Sequence, residues 1–343
     1  MPPTASPAQH DRKLPSVQVL RGIAASLVVL YHFSASVALC HVNRSWIAES
    51  GLGETAKCGV DIFFVISGFI MAFTTRDKAG ASDAGMFLLR RIVRIYPLYW
   101  VWTSVMLLLA AAGLVYRSAH FSFAYIASSY LLYPLFTKST SRPILGQGWT
   151  LWFEMLFYLV FACGVWARVR RHRLLFLGAS FSVLAVAAHL VLIPPGLKYL
   201  FSQTLIVEFL FGVLIAEILS RLPKNCDSRW MPNLAICAGI VLLFCTSIVA
   251  VTDSTRVVYY GIPSFFIVSG AAMRGTQPAP RWLIYLGDAS YSIYLVHGFS
   301  AAVFFYALKR RIIFDRFPGD AEIVILGAIT IYRRCRILSL KST

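Results

Sequence analysis

The stretch VQVLRGIAASLVVLYHFSASVAL, residues 17–39, decides the fold. It is 23 residues long, and Arg21 and His32 are its only basic side chains. A helix needs about 20 predominantly apolar residues to cross the hydrocarbon core of a bilayer, so this run is long enough to span. Met1–Ser16 ahead of it is polar and contains Pro, and no small-residue cleavage site follows it. The run is therefore expected to remain in the chain as a helix rather than be removed as a leader.

Working outward, comparable runs recur near Val60–Phe73, Tyr96–Tyr116, Thr150–Ala167, Leu174–Ile193 and Thr204–Leu219. Three more lie near Leu234–Val251, Val257–Met273 and Tyr291–Leu308, and a shorter one covers Ala321–Tyr332. Phe121–Phe136 is apolar and aromatic but broken by polar residues, which predicts an interfacial or re-entrant segment. Across the 343 residues 58% are apolar and 14% charged, where soluble domains carry about a quarter charged residues. The expected fold class is all-α, a polytopic integral membrane helical bundle of about ten transmembrane helices. Residues 1–16 read as a cytoplasmic N-terminal tail, 17–332 as the membrane domain and 333–343 as a basic C-terminal tail.

Lys and Arg number 32 against 15 Asp and Glu, a formal charge of +17. In a soluble protein that excess would point to nucleic acid. Here the basic residues sit between apolar runs, which is the pattern of loops facing anionic headgroups, so no nucleic-acid partner is expected and the lipid bilayer is. With alternating spans, one side collects Arg76, Lys78, Arg90, Arg91, Arg94, the Arg168–Arg173 cluster, Arg221, Lys224, Arg229 and the tail. The other collects Arg44, Lys57, Arg117, Lys138, Arg142, Lys198 and Arg256, with Lys309–Arg311 as the awkward group. The richer side marks the cytoplasm, with both termini inside. Seven cysteines form no Cys-x-x-Cys pair, which gives a zinc or redox motif little support, and no metal is expected. Cys40 and Cys58 bracket a polar loop, and a disulfide is open to them if that loop faces an oxidising compartment.

Ionisable groups inside spans cost several kcal/mol unless paired or hydrated, so each is a functional candidate. In RGIAASLVVLYH, Arg21 and His32 are eleven residues apart and return to nearly one helix face, about 16 Å apart along the axis. A neutral imidazole suits a general base near neutral pH, and a guanidinium suits a phosphate. The plainer alternative is a core histidine and a snorkelling arginine. In FLLRRIVRIYPLYW, Arg91 and Arg94 share a face beside Arg90, just ahead of the third span, while Pro97 suggests a helix start or kink. Phosphate contact and a positive-inside anchor are equally open to that edge.

In GQGWTLWFEMLFY, Glu154 stands in an apolar, aromatic run and needs either a cation or a proton. Trp149, Trp152 and Tyr158 can stack on a sugar or form an interfacial belt. Asp61 in GVDIFFVISGF, Glu208 in VEFLFG and His297 in YLGDASYSIYLVHGF are further embedded groups. Ser67-Gly68 offers a point of close helix approach, and Asp288 and Ser290 read as helix caps. No phosphate loop, nucleophile elbow or His-Glu-x-x-His motif is present, so ATP hydrolysis and zinc chemistry have no support.

Five runs in order, LRGIAASLVVLYHF, GVDIFFVISGFIM, RRIVRIYPLYW, WTLWFEMLFY and LGDASYSIYLVH, resemble the bacterial membrane acyltransferase type 3 family, and its exopolysaccharide-production O-acetyltransferases in particular. The resemblance covers about Val17 to His297. It implies a ten-helix enzyme of the bacterial inner membrane that takes acetyl from acetyl-coenzyme A and places it on a hydroxyl of a surface polysaccharide or its lipid-linked precursor. The family's Arg and His motif falls on Arg21 and His32, its Arg-x-x-Arg motif on Arg91 and Arg94, and its Trp-Thr-Leu-x-x-Glu motif on Trp149 and Glu154. Catalytic roles are thus expected of His32, Arg21 and Glu154. Donor binding is expected of Arg90, Arg91 and Arg94, and acceptor binding of Trp149, Asp61 and His297. The last apolar run is short and turns abruptly into YRRCRILSLKST, where relatives usually complete a full span. The competing function is a polysaccharide-precursor transporter that performs no acyl transfer, since embedded acids and histidines also suit proton coupling.

Overall fold

A computed structural model describes residues 14–40, 46–116, 121–136, 141–222 and 230–309. Among them every regular element is helical. α1 covers Pro15–Cys40, followed by two single turns, α2 (Trp46–Glu49) and α3 (Leu52–Thr55). Then come α4 (Cys58–Thr74), α5 (Ala81–Ala111), α6 (Phe123–Tyr130), α7 (Gly148–Trp166) and α8 (Arg173–Leu190). The short α9 (Pro195–Ser202) leads into α10 (Ile206–Arg221), then α11 (Met231–Thr246), α12 (Ile262–Met273) and α13 (Arg281–Lys309). A π-helical turn over Val257–Gly261 starts the α12 span.

Six segments are long and apolar enough to cross a membrane: Pro15–Ala38, Leu52–Thr74, Ala81–Ala111, Gly148–Trp166, Arg173–Leu190 and Pro195–Arg221. Met231–Thr246 and Val257–Met273 are shorter apolar helices, and α13 runs for 29 residues. These account for the first nine expected spans. The tenth, Ala321–Tyr332, lies outside the described residues, as do both ends of the chain.

Helix pairing rests on small residues, as it does where lipid offers apolar side chains no reason to prefer one another over acyl tails. A Cβ on Gly68 of α4 would stand 2.0 Å from the Phe209 carbonyl oxygen of α10, and one on Gly212 of α10 would stand 2.0 Å from the Val65 carbonyl oxygen of α4. The two backbones therefore touch where Ser67-Gly68 predicted a close approach. α1 and α13 meet the same way, with Gly287 against the Gln18 carbonyl oxygen. Beside the α4–α10 contact, Phe209 stacks between Phe64 and Phe157, with ring centroids 4.6 and 4.5 Å away. Large apolar side chains such as Leu108, Leu175, Val183 and Phe244 face outward, the surface a bilayer would cover.

Three local expectations are corrected. α5 begins at Ala81, well before Tyr96, and runs through Pro97, so Arg90, Arg91 and Arg94 lie within a helix rather than ahead of one. α13 begins at Arg281, so Asp288 and Ser290 sit in its interior and cap nothing. Asp288 instead accepts from Gln18 Nε2 of α1 at 2.5 Å, a contact made possible by the close approach at Gly287. Cys58 is a buried free thiol, so the disulfide left open between it and Cys40 is not formed. The Phe121–Phe136 segment contains only the eight-residue α6, tied to α5 by Tyr99 and Trp100 donating to the carbonyls of Ser129 and Tyr130 at 2.9 and 3.0 Å.

Candidate active site

Two cavities lie end to end inside the bundle. The first, about 430 Å³, is lined by Arg21 of α1, Ser67 of α4, Arg94 of α5, Glu154 and Tyr158 of α7, and Asp288 of α13. The second, about 660 Å³, holds His32 and His297 together with Lys57, Arg142, Trp149 and Arg256. Val60 and Tyr294 line both and form the wall between them.

In the first cavity Glu154 accepts from Ser67 Oγ at 3.2 Å and from the Tyr158 hydroxyl at 3.3 Å. Arg94 and Arg21 both act electrostatically on it without a direct ion pair. Arg21 is itself steadied by Gln18, whose Oε1 accepts from its Nη1 at 3.2 Å. Two guanidinium groups thus line this chamber within the field of one carboxylate. The three arginines expected together separate: Arg94 lines the cavity and Arg90 is exposed on the helix surface. Arg91 stacks 5.5 Å from the Phe87 ring and 5.8 Å from that of Tyr158, behind the cavity wall.

In the second cavity His32 Nδ1 lies 2.9 Å from the Val28 carbonyl oxygen. A carbonyl can only accept, so Nδ1 carries the proton and the Nε2 lone pair is left available as a base. His297 repeats the arrangement, with Nδ1 2.5 Å from the Tyr294 carbonyl oxygen. Its Nε2 is buried and has no hydrogen-bond partner among the described residues. The two rings lie 4.5 Å apart between centroids. Trp149 stands in the same cavity with the Arg142 guanidinium 5.3 Å from its ring centre. Asp61 does not line the cavity: it is fully buried and grips Arg256 through two bonds of 2.8 Å, so its reach to the cavity is through that arginine.

The wall was not anticipated. Tyr294 shares a 2.7 Å hydrogen bond with Thr150 Oγ1 and donates to the Gln147 carbonyl at 3.2 Å, closing the passage between the two chambers. Its only sequence signal is its place three residues before His297, on the same helix face. Lys57, Arg142 and Arg256 were read as loop charges and instead point into the histidine cavity. Glu208 is fully buried next to Asp61 and lines neither chamber.

Two chambers inside a membrane bundle that meet at a hydrogen-bonded wall, one with two imidazoles and three cationic side chains and the other with two guanidinium groups beside a carboxylate, suit transfer of a group between two ligands. The family model described as Acyltransferase domain matches residues 14–332. The chain is 33% identical to the exopolysaccharide production protein ExoZ of Rhizobium meliloti (strain 1021) over 259 residues, 71% of this chain and 76% of that protein. It is 27% identical to "Putative peptidoglycan O-acetyltransferase YrhL" of Bacillus subtilis (strain 168), covering 84% of this chain and 49% of that one. It is 24% identical to a "Putative O-acetyltransferase" of Staphylococcus aureus (strain COL), covering 83% of this chain and 50% of the relative. The chain thus spans about half the length of these last two. No solved structure matches. A multi-pass helical bundle whose sequence fits that model across nearly its whole length belongs to the membrane acyltransferase family the model describes.

Proposed function

We propose that the protein transfers an acetyl group from acetyl-coenzyme A to a hydroxyl of an extracellular polysaccharide or its lipid-linked precursor. The observation that carries this reading is the pair of chambers meeting at Tyr294, one lined by Arg21 and Arg94 and the other by His32 and His297. The donor enters the Arg21 chamber, with Arg94 and Arg21 holding phosphate oxygens and Glu154 fixing the arginines. Arg91 supports this edge by stacking, and Arg90 meets the donor's outer end at the helix surface. The acceptor enters the other chamber, stacks on Trp149 and presents a hydroxyl to His32. His297 takes a hydrogen bond beside it, and Asp61 contributes by holding Arg256.

The chemistry balances without a metal. His32 Nε2 takes the hydroxyl proton as the oxygen attacks the thioester carbonyl. The carbon–sulfur bond breaks, and the departing thiolate receives that proton from the imidazolium. In this reading the wall hydroxyls of Thr150 and Tyr294 donate to the carbonyl oxygen as it gains charge, once their bonds to each other and to the Gln147 carbonyl open. Holding donor and acceptor in register supplies most of the acceleration, with proton transfer adding about 10²–10⁴-fold.

The richer arginine content at the Arg21 end supports a cytoplasmic N-terminus and an inner-membrane location, with the His32 chamber opening outward. The exopolysaccharide assignment follows from ExoZ, the relative that this chain spans most fully of the three compared. The test is transfer of radiolabelled acetyl from acetyl-coenzyme A to purified polysaccharide by proteoliposomes holding this protein. Label in ester form on the polysaccharide is the expected result. Label that stays in acetyl-coenzyme A, with every acceptor tried, refutes the reading.

A further inference from the structure

A third cavity, about 540 Å³, opens at the same end of the bundle as the Arg21 chamber, on the other side of α4. Five arginines line it: Arg76, Arg170, Arg171, Arg173 and Arg221. They come from four places in the chain that all lie at span ends. Arg76 follows α4, Arg170 and Arg171 lie between α7 and α8, Arg173 opens α8, and Arg221 closes α10. The cavity therefore sits at the level where a bilayer gives way to water. Among the described residues one acid lines it, Glu217, and that acid is already engaged, accepting from the Leu174 amide at 3.2 Å and pairing with Arg221 at 3.6 Å.

The site is built rather than incidental. Arg173 is only 6% exposed, a costly state for a guanidinium. Its Nη1 and Nη2 donate to Thr75 Oγ1 and the Thr75 carbonyl at 3.1 and 3.2 Å, and its face lies 5.1 Å from the Phe161 ring centre. Its buried Nε has no acceptor among the described residues. Arg170 is fixed by a 2.9 Å bond to the Asp77 carbonyl. Below these groups the wall is apolar, formed by Phe69, Phe73 and Leu219.

A cationic rim over an apolar wall, at a membrane boundary, matches a molecule with a phosphodiester at one end and hydrocarbon at the other. We propose that this cavity is a headgroup site for an anionic phospholipid, with its phosphate at Arg170, Arg171 and Arg221 and its acyl chains along Phe69 and Phe73. Guanidinium groups suit phosphate oxygens, and basic pockets between spans at the headgroup level favour acidic lipids. A free phosphate or the nucleotide end of a donor would use the rim and leave the apolar wall bare. The site is independent of the transfer reaction and shares only Leu14 with the Arg21 chamber.

The full-length protein, purified in mild detergent, is titrated with phosphatidylglycerol or phosphatidylcholine of identical chains and read by native mass spectrometry. One phosphatidylglycerol per chain is expected to be retained at about a tenth of the phosphatidylcholine concentration. The Arg170→Gln/Arg171→Gln/Arg221→Gln variant, which leaves buried Arg173 in place, is expected to lose about tenfold in phosphatidylglycerol affinity and to bind acetyl-coenzyme A as before. Inorganic phosphate alone is expected not to displace the lipid at equal concentration. Equal retention of the two lipids by the unaltered protein overturns the proposal, whatever the variant does. So does displacement by phosphate alone, unaltered lipid affinity in the variant, or a variant that loses acetyl-coenzyme A instead.

Discussion

The imidazole rings of His32 and His297 lie 4.5 Å apart, each tied through Nδ1 to a backbone carbonyl of its own helix. Both rings thus keep Nε2 free of the backbone while lining one cavity, and that of His297 has no hydrogen-bond partner among the described residues. A buried acceptor without a donor is uncommon and calls for a reason. When His32 takes a proton during transfer, its new Nε2–H acquires a neighbour able to receive it. His297→Phe keeps a ring in the cavity and removes the acceptor. The expected result is a fall in kcat of about 10–100-fold with little change in the acceptor KM, measured by acetyl transfer in proteoliposomes.

Tyr294 and Thr150 close the wall between the chambers through their 2.7 Å hydrogen bond. Tyr294→Phe removes the hydroxyl and keeps the ring. Water then gains a route from one chamber to the other, so acetyl-coenzyme A hydrolysis without acceptor is expected to rise several-fold while transfer falls about tenfold. Thiol release, followed with and without polysaccharide, separates the two effects.

Glu154 is hydrogen-bonded by Ser67 and Tyr158 and acts on two arginines by charge. Glu154→Gln preserves shape and removes charge. Arg21 and Arg94 lose their common anchor, and the affinity for acetyl-coenzyme A is expected to fall about tenfold by equilibrium binding, while the acceptor KM stays unchanged.

Asp61 and Arg256 form a buried ion pair at 2.8 Å. Asp61→Ala leaves the guanidinium without its counter-ion, and a buried pair broken on one side costs about 3–5 kcal/mol. The expected outcome is a lowered melting temperature in detergent and less protein in the membrane. Asp61→Leu combined with Arg256→Met removes both charges and is expected to recover much of that stability, because two apolar residues need no partner.

Features set by local pattern lay open in the sequence. Runs of about 20 apolar residues gave nine helices, and Ser67-Gly68 marked the contact of α4 with α10. Arg21, Arg94 and Glu154 were each singled out as ionisable groups in or beside spans, and the structure places them around one chamber. What stayed hidden depends on other helices. The spacing of Arg21 and His32 puts them on one face of α1, yet Val60 of α4 and Tyr294 of α13 intrude between them, and no property of α1 reveals that. Asp288 looked like a cap because it stands just ahead of an apolar run, right after Gly287. That glycine instead lets α13 approach Gln18, and the helix had begun six residues earlier at Arg281. Arg142 and Arg256 read as loop charges because their neighbours are polar, while their side chains fold inward onto Trp149 and Asp61.

The most direct measurement is acetyl transfer from acetyl-coenzyme A to polysaccharide by purified His32→Gln protein in proteoliposomes, alongside its binding of the donor. Glutamine fills the space of the ring yet cannot take up a proton at neutral pH. Donor affinity is expected to be retained and transfer to fall by about 10²–10⁴-fold. Transfer at the unaltered rate, from protein shown to be folded and membrane-inserted, would contradict a proton-accepting role for His32.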